Sequence, residues 1–155
     1  MNASVPVFAA LCFFALAFGC PQSSPPDPFN VVEVHPDSGN LRDLLREHSR
    51  RAEALNLKPF VELTADWCEP CQRLHQGMSE AKMVEAFRGT YIIRVDTDLW
   101  GKDVGLAGMR SRSIPAFHAL SPSGLAVGRS IDGESWTDTT SEVISPILGR
   151  FFMNQ

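Results

Sequence analysis

The chain is sparing with cysteine and has no long run of charge of one sign. Cysteine occurs only four times in 155 residues, at Cys12, Cys20, Cys68 and Cys71, and the first two lie in or beside an apolar N-terminal run. One pair is therefore left for the body of the protein. A zinc centre takes about four ligands. Here there is no second cysteine pair, and His35, His48, His75 and His118 show no paired ligand spacing, which argues against a metal site. The formal charge is −4 and long basic stretches are absent, so the electrostatic footprint of a nucleic-acid binder is missing. A membrane-spanning helix needs about 20 apolar residues, more than the uncharged run from Val5 to Gly19 supplies. The length suits one domain with a sizeable core and is short for two.

What the N-terminus does contain is the apolar segment of an export signal. "MNASVPVFAALCFFALAFG" is rich in Ala, Phe and Leu and has the length of a secretory h-region. Its end, "LAFGC" from Leu16 to Cys20, resembles the lipobox of bacterial lipoproteins, which implies cleavage before Cys20 and lipidation of that residue. Residues 1–19 are accordingly read as a signal peptide, and Cys12 leaves with it. "CPQSSPPDPFN", residues 20–30, is too rich in proline for regular structure and reads as an extended tether. Residues 31–155 then form the folded domain.

Within that domain "VVEV" reads as a short edge strand, followed by an amphipathic helix over Leu41 to Asn56 with Leu41, Leu44, Leu45, Ala52 and Leu55 on one face. Its arginines, interleaved with acids, form a solvated face. "KPFVELTA" is a buried strand, after which Asp66 begins a turn into a helix carrying both remaining cysteines. Ser79 is placed to cap a further helix ending at Gly89, and "YIIRVDTD" is a strand of β-branched and aromatic residues. "KDVGLAGMR" is a weak helix. A hairpin turning at Pro122, Ser123 and Gly124 follows, and Ser135 to Phe152 is read as helical apart from Pro146. Strands alternating with helices favour parallel pairing, and the hairpin adds an antiparallel part. The expected fold class is α/β, a central mixed sheet with helices on both faces.

Two cysteines at i and i+3 near a strand–helix junction can be a redox couple, half of a metal site or a structural staple. The surrounding residues carry a resemblance that bears on the choice. "ADWCEPC" after a hydrophobic strand, with "SIPAF" before a later one, resembles the thioredoxin family over roughly Lys58 to Phe152. Ala65-Asp66-Trp67-Cys68 is especially similar to the C-terminal thioredoxin-like domain of the periplasmic disulfide reductase DsbD. This resemblance implies a thioredoxin fold and a thiol–disulfide oxidoreductase acting on protein thiols and disulfides. It implies no cofactor beyond the Cys68–Cys71 couple.

The residues fit that chemistry. In a first helical turn the free N–H groups and the positive end of the dipole stabilise a thiolate, making Cys68 the nucleophile and Cys71 the resolving residue. By position Glu62 matches the buried acid of the family, which implies that a buried carboxyl of raised pKa takes the proton of Cys71. The lysine that often accompanies the acid is not found, because the matching place near Ile92 is apolar. Ile114-Pro115 matches the family's cis-proline, which implies that the Ile114 backbone is presented to a substrate strand. Trp67 is either an aromatic lip of the site or packing; His75, one turn after Cys71, either tunes that residue or is a polar surface position, and is read as the latter; Trp100 and Trp136 are core or surface packing. Glu69 and Pro70 tune the couple: a carboxylate next to Cys68 opposes its thiolate, favours the disulfide and makes a reductant. The expectation is an exported protein on the periplasmic side of a bacterial membrane, anchored through Cys20 and fed by a membrane electron donor. A non-catalytic module binding a client protein or copper, and a static disulfide, are the rival readings.

Overall fold

The computed structural model describes residues 28–155; the signal segment, Cys12, Cys20 and most of the tether lie outside it. Five strands, β1 (Asn30–Val34), β2 (Lys58–Thr64), β3 (Thr90–Asp96), β4 (Ala116–Leu120) and β5 (Ala126–Asp132), form one sheet in the order β1-β3-β2-β4-β5. The pairs β1/β3 and β3/β2 are parallel, while β2/β4 and β4/β5 are antiparallel. Six helices complete the domain: α1 (Leu41–Ala54), α2 (Glu69–Gly77), α3 (Ala81–Phe87), α4 (Thr97–Trp100), α5 (Lys102–Leu106) and α6 (Ser141–Met153). This is the mixed sheet covered on both faces that the order of elements predicts.

The central strand explains the two-sided packing. Phe60, Val61, Glu62 and Leu63 of β2 are all buried, the continuous burial expected of a strand with helices on both sides. Val61 and Leu63 join Leu41, Leu45 and Ala52 of α1 and Tyr91, Ile93 and Val95 of the sheet in one core. Phe60 and Ile92 face the opposite way, into a core with Phe87, Phe117, Ile144, Leu148 and Phe152. The Phe152 ring lies 4.7 Å from that of Phe60, 5.0 Å from Phe87 and 5.4 Å from Phe117. Trp100 and Trp136, read from the sequence only as packing, are both in the core, Trp100 donating to the Val34 carbonyl at 3.1 Å.

Several boundaries differ from the sequence reading, each for a local reason. Leu55 is half exposed because α1 stops at Ala54, two residues short of Asn56, and Asn56 turns through positive φ. Ser79 does not cap α3; Glu80 occupies that position, without a side-chain bond to the helix. The strand "YIIRVDTD" ends at Asp96, whose carboxylate accepts from the N–H groups of Asp98 and Leu99 and so opens α4. The last helix begins at Ser141 rather than Ser135 and runs unbroken through Pro146, which sits on its solvent side. In the β4–β5 turn Gly124 has φ +76°, and a Cβ there would collide with the α1 backbone at Leu45 and Arg46.

Burial also sets how the fold responds to acid. His118 of β4 is buried with its Nε2 3.0 Å from Ser111 Oγ, and desolvation holds its pKa below the ordinary 6.5, partly countered by Asp132. His48, bonded through Nδ1 to Tyr91 Oη at 2.9 Å, is lowered by burial and then by Arg51. A depressed imidazole pKa means that the unfolded chain takes up the proton first. Stability from these groups is full above pH 6.5 and is lost as pH falls from there through the folded values. The fall in Tm between about pH 7 and pH 5 should be smaller in a His48→Gln/His118→Gln variant than in the unaltered protein. An unchanged fall would assign the acid sensitivity to other groups.

Candidate active site

The C-terminal end of β2 leads through Ala65, Asp66 and Trp67 to the start of α2. Cys68 N–H donates to the Ala65 carbonyl at 3.0 Å, turning the chain so that Cys68 becomes the N-cap of α2 rather than a member of its first turn. Its sulfur does the work of a capping oxygen, accepting the Cys71 N–H at 3.2 Å. Pro70 follows without penalty, since an N–H is dispensable in the first turn. A disulfide joins Cys68 and Cys71 across a Cα–Cα distance of 5.2 Å. Cys71 is fully buried and Cys68 is 2% exposed.

The Ile114–Pro115 peptide is cis. The Ile114 carbonyl oxygen lies 3.7 Å from Cys68 Sγ, and its side chain packs on Ala65, Cys68 and Cys71. Trp67 is 68% exposed and donates from Nε1 to Asp98 Oδ2 at 2.7 Å, which makes it a surface lip rather than core packing. Trp67, Cys68, Pro70, Ser113 and Ile114 border an open cleft of about 580 Å³. Glu69 stands at its rim in an exposed ion pair with Arg73, 2.6 Å apart, so its charge next to the disulfide is partly offset. A larger groove of about 990 Å³ lies at the opposite end of the sheet, by Lys58, Thr90 and Phe152, remote from the cysteines.

Beneath the disulfide lies an arrangement that sequence reasoning found only in part. Glu62 is completely buried, with Oε2 3.0 Å from Arg94 Nε and Oε1 2.6 Å from His75 Nε2. A cation does accompany Glu62, and it is Arg94 rather than a residue at the Ile92 position. It stands two residues further along β3, on the same face as Ile92, in direct register with Glu62. Its guanidinium also reaches Met78 Sδ at 3.0 Å and Glu33 at 3.6 Å. His75 is not the surface residue expected: its side chain is 26% exposed and held by Glu62. The signal was available, because Cys71 and His75 are four apart and share a helix face. Both border a polar cleft of about 320 Å³ together with Asp66, Arg94 and Asp96.

No family pattern and no curated protein matches the chain. Solved structures do. A thioredoxin from Trypanosoma brucei brucei aligns with a TM-score of 0.54 at 19% identity, over 86% of this chain and 96% of its own. A disulphide isomerase from Xylella fastidiosa Temecula1 aligns with a TM-score of 0.55 at 12% identity, over 70% of this chain and 88% of its own. The protein has a thioredoxin fold.

Removing one member of a buried ion pair leaves the other desolvated and unpaired. Glu62→Ala should therefore lower the unfolding free energy by about 3–5 kcal/mol in urea titrations, with Arg94 16% exposed and unable to move fully into water. A loss below about 1 kcal/mol, the range of surface pairs, would show that Arg94 finds solvent or another partner.

Proposed function

We propose that the protein is a thiol–disulfide oxidoreductase that reduces or exchanges disulfides of other proteins. The observation that carries this reading is the cysteine pair at the α2 N-terminus, with Cys68 Sγ against the Ile114 carbonyl on the floor of a cleft lipped by Trp67. In the reduced protein the Cys68 thiolate, favoured by the helix start, attacks a client disulfide. A Cys68–client bond forms and one client sulfur leaves as thiolate. Cys71 then gives up its proton and attacks Cys68 Sγ, forming the Cys68–Cys71 bond and releasing the second client sulfur. Two electrons pass to the client, and an external dithiol must return them. Ile114 and Pro115 form the cleft wall beside Cys68, where an extended client segment can lie along the Ile114 backbone.

The charge around the couple favours reduction. No histidine stands between the cysteines, the residue after Cys68 is Glu69, and Asp66 is exposed just before it. The cation nearest in the helix, Arg73, is committed to Glu69. With little positive charge to hold a thiolate, the disulfide is the favoured form and the dithiol the better donor. The likeness of "ADWC" to the C-terminal domain of DsbD agrees with this direction and with a membrane electron donor. Export and anchoring through Cys20 complete the proposal, on the strength of "LAFGC". The described domain begins at the far end from the disulfide, where the Gly89 N–H donates to the Pro28 carbonyl at 2.7 Å.

Insulin is a suitable protein disulfide for the test. The unaltered chain should catalyse its reduction by dithiothreitol, Cys68→Ser should be inactive, and Cys71→Ser should accumulate a Cys68–insulin mixed disulfide visible on non-reducing gels. Absence of turnover together with absence of the trapped species would overturn the reading.

A further inference from the structure

We infer that His75, oriented by Glu62, is the group that exchanges the proton of Cys71; this rests on the oxidoreductase reading above. Three observations converge on it. Cys71 is fully buried, so its proton has no direct route to bulk water. His75 lies one turn further along α2, on the helix face that carries Cys71. Both residues border the same polar cleft of about 320 Å³, large enough for water between them.

The hydrogen bonds define which nitrogen is free. Glu62 Oε2 accepts the Arg94 Nε–H, and a carboxylate paired in this way can only accept from His75 as well, so Nε2–H donates to Oε1. That tautomer leaves Nδ1 as the acceptor, the logic of a carboxylate holding an imidazole for general-base work. Glu62 is thereby a positioning residue, because both of its oxygens are engaged. During resolution the Cys71 S–H proton passes to His75 Nδ1, directly or through one water in the cleft. The thiolate forms the Cys71–Cys68 bond as the Cys68–client bond breaks. The departing client thiolate is protonated from solvent, and His75 returns its own proton through the cleft. In the reductive half-cycle the same path delivers a proton to Cys71.

Other charged groups face this cleft from each neighbouring element: Glu33 on β1 and His35 just after it, Asp96 at the end of β3, and Asp66 in the turn before α2. His35 is the other imidazole among them and supplies the control. The glutathione mixed disulfide is formed on Cys68 by mixing the reduced full chain with glutathione disulfide. Its decay is followed by acid quench and mass spectrometry across pH. The decay should slow about 100-fold in His75→Gln and its pH profile should flatten. Formation of the mixed disulfide should remain unchanged. In His75→Ala, added imidazole should restore decay, a response that a purely structural role would not give. His35→Asn should keep the full profile. A His75→Gln profile that matches the unaltered protein, a profile flattened by His35→Asn, or no imidazole rescue would overturn the inference. In each of these cases insulin reduction by the unaltered chain would still stand.

Discussion

Every helix has to satisfy the free N–H groups of its first turn, and α2 does so with a sulfur atom. The bond from the Cys71 N–H to Cys68 Sγ is both the cap of the helix and the electrostatic environment of the reacting atom. The rest of the domain holds that junction in place. The buried strand β2 delivers the chain to it, with apolar cores on both faces fixing the strand's height and register. The antiparallel strand β4 brings the cis Ile114–Pro115 peptide against the same sulfur from the other side. Sulfur chemistry is thus confined to one cleft, since Cys71 is inaccessible and Cys68 nearly so.

The second constraint is the charge placed beneath the disulfide. A buried carboxylate–guanidinium pair adds little net stability, because desolvation offsets most of the attraction. What Glu62 and Arg94 provide is a fixed acceptor that pins His75 at 2.6 Å and leaves the other imidazole nitrogen available. Having two bonds to Glu62 also explains why a glutamate fits here: its longer side chain reaches both β3 and α2 from the central strand. The polar cleft borders Cys71 and the open cleft borders Cys68, so the proposed cycle has its proton exchange at the first and its client at the second.

Much of this was legible in the sequence because it rests on strong local signals. The run Phe60–Leu63, the β-branched strand after Gly89 and the turn at Ser123–Gly124 each point to one structure, and the Cys-Glu-Pro-Cys spacing places both cysteines at one helix start. The losses have physical causes as well. Asp96 serves as strand end and helix cap at once, so composition alone carried the strand two residues too far. Ser135–Thr140 has polar residues compatible with helix, yet a short turn at Gly133–Ser135 and extended backbone at Trp136 replace it. Arg94 and the link from His75 to Glu62 are hidden for a different reason: each residue is polar in one-dimensional terms, and only strand register and tertiary packing bring both onto Glu62.

The central claim is a reversible couple poised for reduction, and the measurement that tests it most directly is the reduction potential of Cys68–Cys71 in the full chain, by equilibration against dithiothreitol or glutathione. The account predicts a value near that of a reducing dithiol, about −270 mV. A value near about −120 mV would mark an oxidant and contradict the argument from Glu69 and Asp66, and the absence of any reversible couple would contradict the enzyme itself.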